Sequence, residues 1–228
     1  MKKLLIFDAY GTLLSTGTGS LDATEKILAL QAKAINATEF YAEWKKLHRK
    51  HLDESNAGEF VSEAEIFAKD LKCLYEQFEI DRPYEQDVQI MLDSLTGRSV
   101  FSEVVEAIAN LRQSYRVVIG STTDTEPLLE NIRANHLVMD EIYTSEMIEK
   151  YKPAKTFYEY ILAHENCVPD DAVFIGDSLI DDVAGPQSAG ITTVLVDRKG
   201  KYDASSVKTA QPDYVVKSIA EIVKLDFL

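Results

Sequence analysis

The chain alternates between short apolar runs and longer segments with helical periodicity. Leu4 to Phe7 form an apolar run without helical spacing, which is typical of a strand buried on both faces. Further strand candidates follow in the second half of the chain: Arg116 to Ile119, Ile142 to Thr144, Ala172 to Ile175, Thr192 to Val196, and the start of the segment from Pro212 to Leu225. Segments that favour helix separate these runs. This alternation predicts an α/β fold, a parallel sheet with helices on both faces.

The stretch between Ser15 and about Gly97 has a different pattern. It contains no run typical of a buried strand, and its apolar residues recur at helical spacing. Ser62 and Glu65 form a capping box that predicts the start of one of these helices. An all-helical insert after the first strand suits a cap over an active site. The predicted boundaries are residues 1–14 and 98–228 for the core and residues 15–97 for the cap.

Polar residues follow the predicted strands. Asp8 comes directly after the first strand, and Ser121 and Thr122 come after the second. Lys152 follows the third strand candidate, and Asp177 follows the fourth. Ligands of open parallel sheets bind beyond the carboxyl ends of the strands, so we expect these side chains to meet there. Carboxylates, hydroxyls and a cation are the groups that displacement at phosphorus requires.

Four segments in chain order carry a family resemblance. FDAYGTL, the segment at Ser121, YKP and GDSLIDDVAG resemble the four motifs of the haloacid dehalogenase-like hydrolase superfamily. The resemblance extends from Leu4 to about Val196. It implies a Rossmann-like core, an inserted helical cap, and hydrolysis through a covalent intermediate on an aspartate, Asp8.

The resemblance also implies roles for the surrounding residues. Lys152 would neutralise an incoming anion and orient Asp8, while Ser121, Thr122 and the backbone at Ala9 would hold phosphate oxygens. Asp8 and Asp177 would hold Mg²⁺. The third acidic position is either Asp182 or Asp181, with the match through DVAG favouring Asp182. The remaining position that we assign to catalysis and the metal site is Tyr10.

The phosphatases that this chain resembles carry a second aspartate two residues after the nucleophile. This chain has Tyr10 at that position. A phenol with a pKa near ~10 is a poor base at neutral pH. The string DAYGTL resembles the first motif of 2-haloacid dehalogenases. In those enzymes the leaving group is a halide, which needs no proton to depart. Those enzymes lack the metal, however, and GDS indicates a metal site, so a phosphatase acting on small phosphorylated metabolites is favoured. The alternatives are a dehalogenase and a phosphate-binding protein with little turnover.

Composition narrows the class of partner. The 228 residues include 24 Lys and Arg against 38 Asp and Glu, a formal net charge of −14. This charge disfavours nucleic acid and anionic membranes as partners, while a metal ion and one lysine still allow a small anionic substrate. Two well-separated cysteines indicate reduced thiols and a cytoplasmic protein. The sequence indicates no particular oligomeric state.

Two further expectations concern local structure. Thr123 or Asp124 is predicted to cap the helix that begins near Glu126. His48 and His51, spaced i and i+3, are predicted to lie on the surface of the cap, because their spacing implies no carboxylate partner.

Overall fold

A computed structural model describes residues 3–204 and 210–225. The strands in these ranges are Leu4–Phe7 (β1), Arg116–Ser121 (β2), Glu141–Thr144 (β3), Ala172–Gly176 (β4), Thr192–Val196 (β5) and Tyr214–Val216 (β6). They form one six-stranded sheet in the order β3-β2-β1-β4-β5-β6, and every pair is parallel. The predicted α/β fold is confirmed.

Strand β1 lies in the middle of the sheet and is buried along its whole length. Leu5 and Phe7 join the apolar cluster on one face, whereas Leu4 and Ile6 join the cluster on the other. Side chains alternate between the faces of a strand, so burial of all four requires cover on both sides. The absence of polar alternation in this run reflects that double cover.

Helices of the core pack on the two faces of the sheet. They are Val104–Leu111 (α5), Thr125–Ala134 (α6), Ser145–Ile148 (α7), Lys155–His164 (α8) and Gly185–Ser188 (α9). A π-helical turn, Leu179–Ala184, follows β4, and a 3₁₀ helix, Ile219–Lys224, follows β6.

The chain between β1 and β2 contains the helices Gly19–Ala29 (α1), Ala37–Ala57 (α2), Glu63–Gln77 (α3) and Val88–Asp93 (α4). These helices share an apolar cluster of their own, separate from the two sheet clusters. The capping box of Ser62 and Glu65 is present at the start of α3, as predicted. In the two described ranges, no helix combines the length and the apolar composition that crossing a bilayer requires.

A buried carboxylate, Asp70 of α3, ties the helices of the cap together. Asp70 has no exposed surface, and its oxygens lie 3.1 Å from Trp44 Nε1, 2.8 Å from His48 Nδ1 and 2.5 Å from His51 Nδ1. The prediction that His51 is a surface residue is wrong, because α3 brings a carboxylate to it from a distant part of the sequence; His48 binds the same carboxylate, and its side chain is 21% exposed. His51 is only 4% exposed.

Replacing Asp70 with alanine should destabilise the cap. The substitution leaves the buried polar groups of Trp44, His48 and His51 without their acceptor, so we expect the free energy of unfolding to fall by about 3 kcal/mol. Urea denaturation measures the change. Asp53→Ala, on the exposed side of α2, is the control and should shift stability by less than about 0.5 kcal/mol. Equal stability of the two variants would show that Asp70 does not organise the cap.

Candidate active site

The carboxyl ends of adjacent strands bring the candidate residues together. Asp8 follows β1, which lies between β2 and β4, so Ser121 at the end of β2 and Asp177 after β4 flank it. Lys152 enters from the segment between α7 and α8. Its Nζ lies 2.7 Å from Asp8 Oδ1 and 2.7 Å from Asp182 Oδ1. The structure therefore assembles groups that are far apart in the sequence.

Lys152 is one of the most deeply buried cations of the described chain, with 2% of its surface exposed. Burial by itself lowers the pKa of Lys152, but the attraction of Asp182 and Asp8 outweighs burial and raises it. The ammonium group stays protonated and partly offsets the charge of two neighbouring carboxylates. Removing one partner of such a buried group typically destabilises a protein by about 3–5 kcal/mol.

Two glycines make room for the acidic side chains. Gly11 has a φ of 98°, and a Cβ at this position would overlap the carboxylate of Asp177. A Cβ at Gly176 would overlap the carboxylate of Asp182 in the same way. Glycine at these two positions therefore permits the close approach of the carboxylates to the end of the sheet.

The π-helical turn after β4 separates Asp182 from Asp181. Asp182 is 1% exposed; it accepts hydrogen bonds from Lys152 and from the backbone N–H of Ser178. Asp181 instead binds Arg49 of α2, with Oδ2 2.6 Å from Nη2. Of the two alternatives, the structure brings Asp182 to Asp8 and Asp177 and directs Asp181 toward the cap.

The residues present fit a divalent cation. Asp8, Asp177 and Asp182 each offer a carboxylate oxygen, and these oxygens lie within 4.8 Å of one another. Asp8 Oδ2 is buried and has no hydrogen-bond partner in the described residues. The pKa of each of the three carboxyl groups is raised, chiefly by burial. Repulsion from a neighbouring carboxylate of the group raises each pKa further. A hard cation with oxygen ligands would relieve both the repulsion and the unsatisfied oxygen.

Ser121 and Thr122 lie beside this acidic group. Ser121 is 1% exposed, and the Thr122 hydroxyl is buried without a hydrogen-bond partner in the described part of the chain. A buried hydroxyl without a partner has a donor available for a bound anion. Ala9 is fully buried directly after Asp8.

The surroundings of Tyr10 do not favour a role in proton transfer. Its hydroxyl donates to Leu95 O at 3.3 Å and accepts from Asn131 Nδ2 at 3.1 Å. Burial raises the pKa of Tyr10 to about 12, and the nearby charge of Glu63 adds to the rise. The phenol is neutral at physiological pH and its hydroxyl is occupied by these two contacts.

Asp124 joins the core to the cap. It precedes α6 at the predicted capping position, but its side chain does not cap that helix. The Asp124 carboxylate instead accepts hydrogen bonds from the backbone N–H groups of Glu63, at 2.8 Å, and Ala64, at 2.9 Å. Asp124 thus satisfies N–H groups at the start of α3, while the Thr125 N–H at the start of α6 binds Glu146 instead.

A cavity of about 390 Å³ separates cap and core next to these residues. Its lining includes Tyr10 and Thr122 from the core and, from the cap and its junction with the core, Lys45, His48, Arg49, Glu63 and Arg98. Sequence analysis identified Tyr10 and Thr122 through motifs and did not single out Arg49, Glu63 or Arg98. Helical spacing alone does not show which cap residues face the core, so no sequence signal distinguished these three.

Sequence comparison connects the chain with known hydrolases. Residues 151–222 match the HAD-hydrolase-like family model. Haloacid dehalogenase-like hydrolase domain-containing protein 2 of Mus musculus is 43% identical over 61 residues, which are 27% of this chain and 23% of that protein. The match thus spans about a quarter of that relative's length. Ribulose-1,5-bisphosphate 5-phosphatase of Halopiger xanaduensis is 27% identical over 140 residues, 58% of each chain.

Solved structures extend the likeness to the whole fold. The magnesium-bound putative HAD-hydrolase YfnB of Bacillus subtilis has a TM-score of 0.80 at 19% identity, covering 98% of this chain and 97% of that one. L-2-haloacid dehalogenase of Xanthobacter autotrophicus also has a TM-score of 0.80, at 16% identity, covering 99% and 98% of the two chains. The six-stranded parallel sheet with its helical insert thus has the fold of these solved structures, and residues 151–222 are HAD-hydrolase-like in sequence.

Proposed function

We propose that the protein is a phosphatase that hydrolyses small phosphate monoesters through a covalent phosphoryl intermediate on Asp8. The observation that supports this most is the group formed by the buried Asp8 and Asp182 with the exposed Asp177, beside Lys152. Three carboxylates in such proximity repel an anionic substrate unless cations offset them. A displacement that needs no metal would gain nothing from Asp177 and Asp182.

Mg²⁺ is the proposed cofactor, and Asp8, Asp177 and Asp182 would hold it. When bound, the ion offsets the repulsion between a phosphate group and the Asp8 carboxylate and stabilises charge at the transferred group. Mg²⁺ is a hard cation and prefers oxygen ligands such as these carboxylates.

The first chemical step forms the covalent intermediate. An Asp8 oxygen attacks phosphorus, a new oxygen–phosphorus bond forms, and the ester bond to the leaving oxygen breaks. Lys152 holds Asp8 Oδ1 at 2.7 Å and so fixes the orientation of the nucleophile. The unpartnered hydroxyl of Thr122, with Ser121 and the backbone at Ala9, would bind the phosphoryl oxygens that do not react.

The second step releases phosphate. Water attacks phosphorus in the intermediate, the bond to Asp8 breaks, and the carboxylate returns to its starting form. Burial of the site keeps bulk water away from the intermediate. Asp8 itself is only 6% exposed.

The cavity between cap and core supports a small anionic substrate. Its volume of about 390 Å³ suits a metabolite, and Lys45, Arg49 and Arg98 supply positive charge in a chain whose formal net charge is −14. The similarity to a ribulose-bisphosphate phosphatase agrees with such a substrate. Nucleic acid and membranes are not part of the proposal, and the cytoplasm is the proposed location.

Dehalogenation of 2-halocarboxylates is the second candidate. The specific observation that favours it is Tyr10, because no carboxyl group stands at this position to protonate a leaving oxygen. The acidic group at Asp177 and Asp182 is the counterargument, since displacement of a halide needs no such group.

Asp8→Asn should abolish turnover while preserving the fold. The amide has the size of the carboxylate but is a far weaker nucleophile, so we expect kcat to fall by about 10⁴-fold or more. Phosphate release from a panel of phosphate monoesters measures the loss, with Asp53→Asn on the exposed side of α2 as the control. Wild-type rates in Asp8→Asn, with mass spectrometry excluding deamidation, would rule out Asp8 as the nucleophile.

Mg²⁺ should stabilise the wild-type protein and restore activity after chelation. Asp177→Asn should weaken Mg²⁺ binding at least about tenfold, equivalent to about 1.4 kcal/mol, because one ligand charge is lost. Thermal unfolding with and without Mg²⁺ measures this directly. Asp181→Asn is the matched control and should keep the stabilisation, since Asp181 binds Arg49. Undiminished activity in a metal-free preparation, with halide released from 2-chloropropionate, would favour dehalogenation instead.

A further inference from the structure

The proposed phosphatase chemistry needs a proton for its leaving oxygen, and the residues around Asp8 do not supply one. Tyr10 is held neutral by its surroundings, and its hydroxyl is occupied by Leu95 and Asn131. Lys152 is shared by two carboxylates. An alkoxide leaving group departs slowly without an acid, at a cost of about 10²–10⁴ in rate.

Glu63 is a buried carboxyl group in the cavity that Tyr10 and Thr122 line. It is the first residue of α3 and is 7% exposed, and its Oε2 is buried with no hydrogen-bond partner in the described residues. Glu63 lines the same cavity as Tyr10 and Thr122. Thr123, which also lines this cavity, acts on the pKa of both the Glu63 carboxyl and the Tyr10 phenol. Glu63 thus lies in the cap and shares a cavity with Tyr10, the position at which an acid residue is missing.

Contacts with the core and the cap hold Glu63 in this place. Asp124 accepts the backbone N–H groups of Glu63 and Ala64, which fixes the start of α3 over the loop that follows Ser121. On the cap side, His48 Nε2 lies 3.9 Å from Glu63 Oε1, and His48 Nδ1 contacts the buried Asp70. These contacts would hold the carboxyl in one orientation.

We infer that Glu63 is the general acid of the reaction, delivered to the leaving oxygen by the cap. The inference rests on the proposed phosphatase function. As Asp8 attacks, the electron pair of the breaking phosphorus–oxygen bond stays on the leaving oxygen, which takes the proton of the Glu63 carboxyl and departs as an alcohol. In the second step the attacking water gives one proton to the Glu63 carboxylate, and phosphate leaves with the remaining one.

The protonation state of Glu63 agrees with this role. Burial raises its pKa to about 7, although the charge of His48 acts in the opposite direction. A carboxyl group in this range can donate a proton near neutral pH and take one back. The titratable groups that face it from the elements packed against α3 are Tyr10, His48, Asp124 and Tyr151.

Glu63→Gln, which removes the proton but keeps the shape, tests the inference. We expect kcat/KM for benzyl phosphate, whose leaving oxygen needs an acid, to fall by about 10²-fold or more, and kcat/KM for 4-nitrophenyl phosphate to fall by less than about fivefold. The decline of the wild-type benzyl phosphate rate above pH 7 should also disappear. Glu65→Gln is the matched control on the same helix turn, because glutamine also completes the capping box.

The variant is expected to fold. Because the pKa of Glu63 is raised in the folded state, its carboxyl destabilises the protein increasingly as the pH rises from about 4.5 to about 7. The melting temperature of Glu63→Gln should therefore match or exceed that of the wild type at pH 8. Equal losses for both esters, or no loss, would overturn the role of Glu63 and leave the proposed function intact. A wild-type protein that hydrolyses neither ester would overturn both.

Discussion

Lys152 Nζ lies 2.7 Å from Asp8 and 2.7 Å from Asp182, and the arrangement of the acidic residues depends on this shared ammonium group. Without it, carboxylates buried to this degree would take up protons and lose their charge. With it, one positive charge faces two negative ones, and Asp177 adds a third negative charge to the group. The same contact thus orients the proposed nucleophile and leaves negative charge that the proposed metal ion would offset.

The rest of the fold supplies what this contact requires. The parallel sheet places Asp8 between the ends of β2 and β4, Gly11 and Gly176 leave space for the carboxylates, and the π-helical turn after β4 separates Asp182 from Asp181. The cap completes the site from the other side. Arg49 binds Asp181, and the start of α3 binds Asp124; together with the hydrogen bonds between Asn56 and Tyr151, these contacts help to hold cap and core together.

Sequence patterns predicted the sheet because its strands are buried on both faces and read as unbroken apolar runs. They also indicated Asp8, Ser121, Thr122, Lys152 and Asp177, since residues after parallel strands meet at one edge. The cap residues were not predictable in this way. The spacing of His48 and His51 showed a shared helix face, but their partner Asp70 depends on how α3 packs against α2. Local capping preference suggested that Asp124 caps α6, whereas the donors of α3 bind its carboxylate.

The proposed mechanism requires a phosphoryl group on Asp8 during turnover. The most direct measurement is acid quenching of the enzyme in the first turnover of 4-nitrophenyl phosphate with Mg²⁺, followed by mass spectrometry of the peptide that contains Asp8. We expect a phosphorylated Asp8 that forms and decays at rates matching phosphate release. Phosphate release without any modified Asp8, or modification at another residue, would contradict it.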